Sequence, residues 1–148
     1  MTEKDKYIFE YIAFILNNYL NQEFRYKKGL AYKLSVENFS SVNYGIFSIY
    51  VSSDSEYIYK QILEKTKELH EKINEINMEV IKNNMVSNFI FDIEKLSKTA
   101  SFYSENYLFN NEITIEEEIR NIKKVTLKDI KESLTKLLQQ SPKVVILK

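Results

Sequence analysis

Leu30-Ala-Tyr-Lys-Leu-Ser-Val-Glu-Asn38 and Tyr44-Gly-Ile-Phe-Ser-Ile-Tyr-Val-Ser52 set the architecture of this 148-residue chain. In the first stretch Tyr32, Leu34 and Val36 alternate with Lys33, Ser35 and Glu37. In the second, Phe47, Ile49 and Val51 alternate with Ile46, Ser48 and Tyr50. Successive side chains of a strand point to opposite faces, so both stretches predict half-buried strands. Polar Asn38, Ser40, Ser41 and Asn43 lie between them, and the pair reads as an antiparallel hairpin.

Helical patterns flank the hairpin on both sides. From Asp5 to Asn21, Ile8, Ile12, Ile15, Leu16 and Tyr19 recur at a 3.6-residue period, with Tyr7 and Tyr11 widening the stripe. Ser53-Asp-Ser-Glu56 has the spacing of a capping box, which predicts a helix from there to about Asn74. A second long helix is predicted from Met78 through Ile81, Met85, Phe89, Ile93, Leu96 and Ala100 to Tyr103. Thr114 with Glu117, and Thr126 with Asp129, mark the starts of two shorter helices. Ser141-Pro142 ends the last of these, and the β-branched run Val144-Val-Ile-Leu147 predicts a strand that returns to the same sheet. The expected fold is α+β, a two-layer sandwich in which helices cover one face of a mainly antiparallel sheet. No repeat or linker-like tract interrupts it, so residues 1–148 read as a single domain.

Composition excludes several kinds of chemistry. The charges balance, 21 Lys and Arg against 21 Asp and Glu, and lysines are interleaved with glutamates. Such a chain lacks the field that draws nucleic acid. Two glycines cannot build a phosphate-cradling loop. With no cysteine and His70 as the one histidine, neither a zinc site nor a His-assisted nucleophile can be assembled from this chain alone. His70 itself falls beside the apolar stripe among Glu68, Glu71 and Lys72, and reads as a solvated helix residue. Glu75, Glu79, Glu94, Glu105 and Glu116 to Glu118 likewise read as charged helix faces rather than acid-base pairs. No apolar run is long enough to cross a bilayer, and no signal-like core follows the N-terminus; a soluble, cytoplasmic protein is the expectation.

Between the first helix and the first strand, Phe24-Arg-Tyr-Lys-Lys-Gly-Leu-Ala-Tyr32 resembles the Leu-Arg-x-x-x-Gly-Leu-x-Tyr signature of the insulinase/pitrilysin family of zinc metallopeptidases, in its second, non-metal-binding half. Gly45 to Glu56, Glu79-Val-Ile-Lys-Asn-Asn84 and Ile122 to Ile130 resemble further stretches of that half, in the same order. The resemblance implies the half-domain fold of the mitochondrial processing peptidases. It departs from the family in two respects. The family's His-x-x-Glu-His motif has no counterpart here, and the strand that normally precedes the first helix is not matched, so one sheet edge is expected to lack its partner.

What the resemblance implies for function rests on three positions. Arg25 and Tyr32 match the arginine and tyrosine that hydrogen-bond a substrate peptide opposite the zinc, whereas Gly29 serves as a structural turn between them. Read without the family, Arg25 is a surface arginine at a helix C-terminus and Tyr32 a sheet tyrosine with its hydroxyl at the rim. Arg25 is nonetheless one of only two arginines in the chain, and its forked donor is not interchangeable with lysine. The other tyrosines, Tyr44, Tyr50, Tyr103 and Tyr107 among them, read mostly as packing residues. The implied function is the peptide-substrate-binding half of a zinc metalloendopeptidase. It would bind no cofactor itself and would act with a zinc-bearing partner half or a homodimer partner, with no role for nucleic acid or membrane. The alternatives are a non-catalytic interaction module of the same fold and an unrelated α+β binding domain.

Overall fold

The computed structural model describes residues 3–40, 45–108 and 113–146. They fall into two compact units, Met1–Ile76 with Leu127–Lys148, and Asn77–Thr126.

In the first unit, helix α1 (Glu3–Leu20) carries the predicted stripe, and Tyr7, Ile8, Tyr11, Ile12, Ile15, Leu16 and Leu20 are all buried. Its end widens into a π-helical turn (Asn21–Lys27), and a bend follows before β1 (Lys33–Ser40) and β2 (Gly45–Ser52). The strands pair antiparallel in one register, Lys33 opposite Ser52 and Val36 opposite Ile49. Leu34 and Val36 point inward as the alternation requires, and Phe47 meets Phe9 of α1 with ring centroids 6.0 Å apart. Helix α2 (Ile58–Glu71) ends in a 3-10 turn (Ile73–Glu75), and α6 (Leu127–Leu138) returns from far along the chain to pack on α1 and α2. Ile12, Leu16, Leu69, Ile73, Ile130 and Leu134 form their common core.

The edge of β1 is partly closed by α1 and the π-helical turn that continues it. The Asn21 side-chain amide donates to the Leu34 carbonyl at 3.2 Å, and the Asn17 side-chain oxygen accepts from the Val36 N–H at 3.2 Å. Backbone groups that a neighbouring strand would ordinarily satisfy are thus held by two asparagines one helical turn apart.

The second unit consists of α3 (Met78–Ile93), α4 (Leu96–Leu108) and α5 (Ile115–Lys124), with α3 against both of the others. Asn77 caps α3, its side chain accepting from the N–H groups of Glu79 and Val80. The Thr114–Glu117 capping box is present in both directions, at 3.2 Å and 3.0 Å.

Several expectations are corrected. The long helix from Met78 to Tyr103 is broken at Glu94 and Lys95, where the Thr99 hydroxyl donates to the carbonyls of Ile93 and Lys95 and satisfies the interrupted ladder. Helix α2 starts at Ile58 rather than at Ser53, because the Ser53 hydroxyl is turned to the Leu30 carbonyl instead. Among the described residues the sheet has two strands, not three: Val144, Val145 and Ile146 are exposed and unpaired, and Leu147 lies outside the described residues. A β-branched run favours extended backbone, but without a ladder partner it makes no strand. His70 is half-buried, with Nε2 2.8 Å from the Thr135 hydroxyl of α6. Glu118 is buried rather than solvated, and Tyr50, Tyr103 and Tyr107 are exposed rather than packed. Tyr44 lies outside the described residues.

Candidate functional site

The segment from Phe24 to Tyr32 is a tight connection built on one buried anchor. Phe24 is fully buried, and its carbonyl accepts from both Leu30 N at 2.7 Å and Ala31 N at 3.1 Å. Closing that loop requires a reversal at Gly29, whose φ of 62° lies in the left-handed region that glycine enters without steric penalty. The π-helical turn contributes as well: its wider winding sets Phe24 inward while Arg25, the next residue, stays exposed.

Arg25 lies over the Tyr26 ring, 5.6 Å from its centroid, and among the described residues its guanidinium is in no ion pair. Its five donors are therefore open to a ligand. Tyr32 sits one residue before β1 and is 65% exposed. Its N–H donates to the Ser52 carbonyl at 2.9 Å, which brings it beside the exit of β2. The two predicted site residues thus flank Gly29, both at the surface, with no direct hydrogen bond between them among the described residues.

The Tyr32 hydroxyl donates to the Asp54 carboxylate, a partner that sequence reading did not find. That bond, reinforced by the negative charge of Asp54, raises the phenol pKa above its ordinary value of 10.0. Ser53 completes the arrangement, its hydroxyl donating to the Leu30 carbonyl at 2.6 Å and accepting from Ser55 N at 3.1 Å. In the sequence, the spacing of Ser53 and Asp54 to Glu56 is that of a helix cap. A local pattern contains no sign of a partner 22 residues away.

Among the described residues, no cluster of three or more His, Asp or Glu side chains could hold a metal ion. No described helix is long and apolar enough to cross a membrane.

A two-stranded antiparallel hairpin laid on one long helix, with further helices packed beside it, makes this an α+β domain. Residues 1–85 match the family described as the peptidase M16 inactive domain, and the chain belongs to that family. It is 29% identical over 126 residues to an uncharacterized zinc protease of Rickettsia felis, covering 82% of this chain and 31% of that protein. The fold is shared with a protease from Helicobacter pylori, at a TM-score of 0.78 and 18% identity over 91% of this chain and 35% of the other. A conserved protein from Enterococcus faecalis superposes at a TM-score of 0.63 with 21% identity, over 91% and 34% of the two chains. The chain spans about a third of the length of these relatives.

Proposed function

We propose that this chain is the peptide-binding half of a zinc metallopeptidase and acts with a second half that carries the metal. Membership of the peptidase M16 inactive-domain family is the observation that carries this reading. The match to a zinc protease and the exposure of Arg25 and Tyr32 support it. Zinc in the partner half would supply the activated water; this chain would supply grip and orientation. An extended peptide presents carbonyl acceptors, and hydrolysis concentrates negative charge on one of them. The Arg25 fork can hold a backbone carbonyl or a terminal carboxylate in a fixed plane, and the Tyr32 phenol can offer one further donor.

The test is kinetic, in a complex of this chain with a half bearing His-x-x-Glu-His. Tyr32→Phe removes a single donor and keeps the ring. Turnover should fall by about 10²–10³-fold if that donor meets developing charge. Arg25→Lys keeps charge but loses the fork, and should mainly raise the Michaelis constant. Unchanged kinetics in both variants would reject the site and leave a non-catalytic interaction module of the same fold.

A further inference from the structure

We infer that Asp54 is a positioning residue of the peptide site, acting through Tyr32, and that the bend after β2 exists to present it. This inference rests on the proposed function. Two stretches that are separate in the sequence, Leu30 to Tyr32 and Ser52 to Asp54, are joined here by three bonds of different kinds: Tyr32 N to the Ser52 carbonyl, the Ser53 hydroxyl to the Leu30 carbonyl, and the Tyr32 hydroxyl to the Asp54 carboxylate. The first two fix the backbones relative to one another. The third then fixes where the phenol oxygen lies.

Tyr32 needs such a device because it is 65% exposed, so little packing restrains its ring. An exposed phenol would otherwise sample several rotamers, and a side chain that must be ordered on binding contributes less than one whose ring and oxygen are already held in place. Asp54 lies in the bend and leads directly to no helix, since α2 begins at Ile58 with Tyr57 as a cap that makes no side-chain bond. Its carboxylate is therefore not used to cap that helix.

The pairing also sets the order of events on binding. A phenol has one hydrogen, and in the free chain Tyr32 donates it to the Asp54 carboxylate. A substrate carbonyl obtains it by drawing it away from the carboxylate, which neutral peptide oxygen does weakly and an oxygen gaining negative charge does strongly. Until that exchange occurs, Asp54 holds the phenol oxygen at one place beside the exit of β2, and it is this positioning that Asp54 supplies. The same negative charge opposes ionisation of the phenol and preserves its hydrogen into more alkaline solution.

Asp54→Asn tests this in two stages. In the full chain labelled with 13C at tyrosine Cζ, with Tyr32→Phe assigning the resonance, the phenol of Tyr32 should titrate at lower pH in Asp54→Asn than in the parent, with the melting temperature little changed. In the complex with a zinc-bearing half, Asp54→Asn should lower kcat more than it alters KM, by up to about 10²-fold, and shift the alkaline limb of the pH–rate profile to lower pH. Should Asp54→Asn disturb folding, Asp54→Glu, which keeps the charge and displaces it by one methylene, should retain the raised phenol titration and still lose turnover. A Tyr32 titration that stays in place in Asp54→Asn overturns the inference. A titration that moves while Tyr32→Phe leaves peptide turnover untouched supports the Asp54–Tyr32 pairing and overturns the site reading on which it rests.

Discussion

Gly29 holds φ at 62°, yet nothing lies within 4 Å of the place a Cβ would occupy. Replacement by alanine therefore meets no neighbour, and the cost is that of the left-handed backbone alone, about 1–2 kcal/mol. Gly29→Asn should cost less, since a short polar side chain tolerates this region. Urea denaturation of the two variants checks both the size and the order, and a loss well beyond this range for alanine would show that the turn meets something not accounted for. At this scale the turn at Gly29 was legible, because it lies within one short signature, the same one that names Arg25 and Tyr32 as candidates. Asp54 and the His70–Thr135 contact were not, because their partners are 22 and 65 residues away and periodicity carries no information about pairing between distant segments.

Between elements, Glu68 of α2 is a junction. It accepts from Lys72 at 2.8 Å and from Lys65, and Lys65 in turn reaches Glu23 of the π-helical turn at 3.6 Å. The bonds from Lys65 and then Lys72 lower its carboxyl pKa from 4.5 to about 2. A carboxylate whose pKa is depressed on folding stabilises the folded state fully above the unfolded value, and the contribution is lost as pH falls through the folded one. The melting temperature should thus fall between about pH 4.5 and pH 2, and Glu68→Gln should flatten that slope without altering the acid end. Because the group is partly open to solvent, the effect should be modest and should shrink in high salt. Element types were legible wherever a stripe had one apolar face: α1, the hairpin, α5 and α6 lie close to their predicted positions, and α2 has the predicted type although it starts later, at Ile58. The break between α3 and α4 was not, since neither glycine nor proline marks it and Ile93 and Leu96 keep the apolar spacing running across it. Nor was the fate of Val144 to Ile146, where composition reports a preference for extended backbone and says nothing of an available edge.

For the molecule as a whole, the first unit is closed by a segment that lies beyond the second in the chain. Ile130 and Leu134 of α6 are buried with Ile12, Leu16, Leu69 and Ile73. Ile130→Ala should therefore destabilise that unit by about 2–5 kcal/mol, the usual cost of truncating a fully buried aliphatic side chain. Hydrogen exchange should show the loss in α1 and α2, far away in sequence.

The late arrival of α6 also has a consequence during synthesis. A ribosome adds residues at about 5–20 per second, so several seconds separate the emergence of Ile76 from that of Leu127. Throughout that interval α1, the hairpin and α2 are present while the surface that α6 will cover stays open, and Leu16, Leu69 and Ile73 remain available to chaperones or to other nascent chains. Codon choice or pausing within residues 77–126 would lengthen this exposure without changing a single contact of the finished fold.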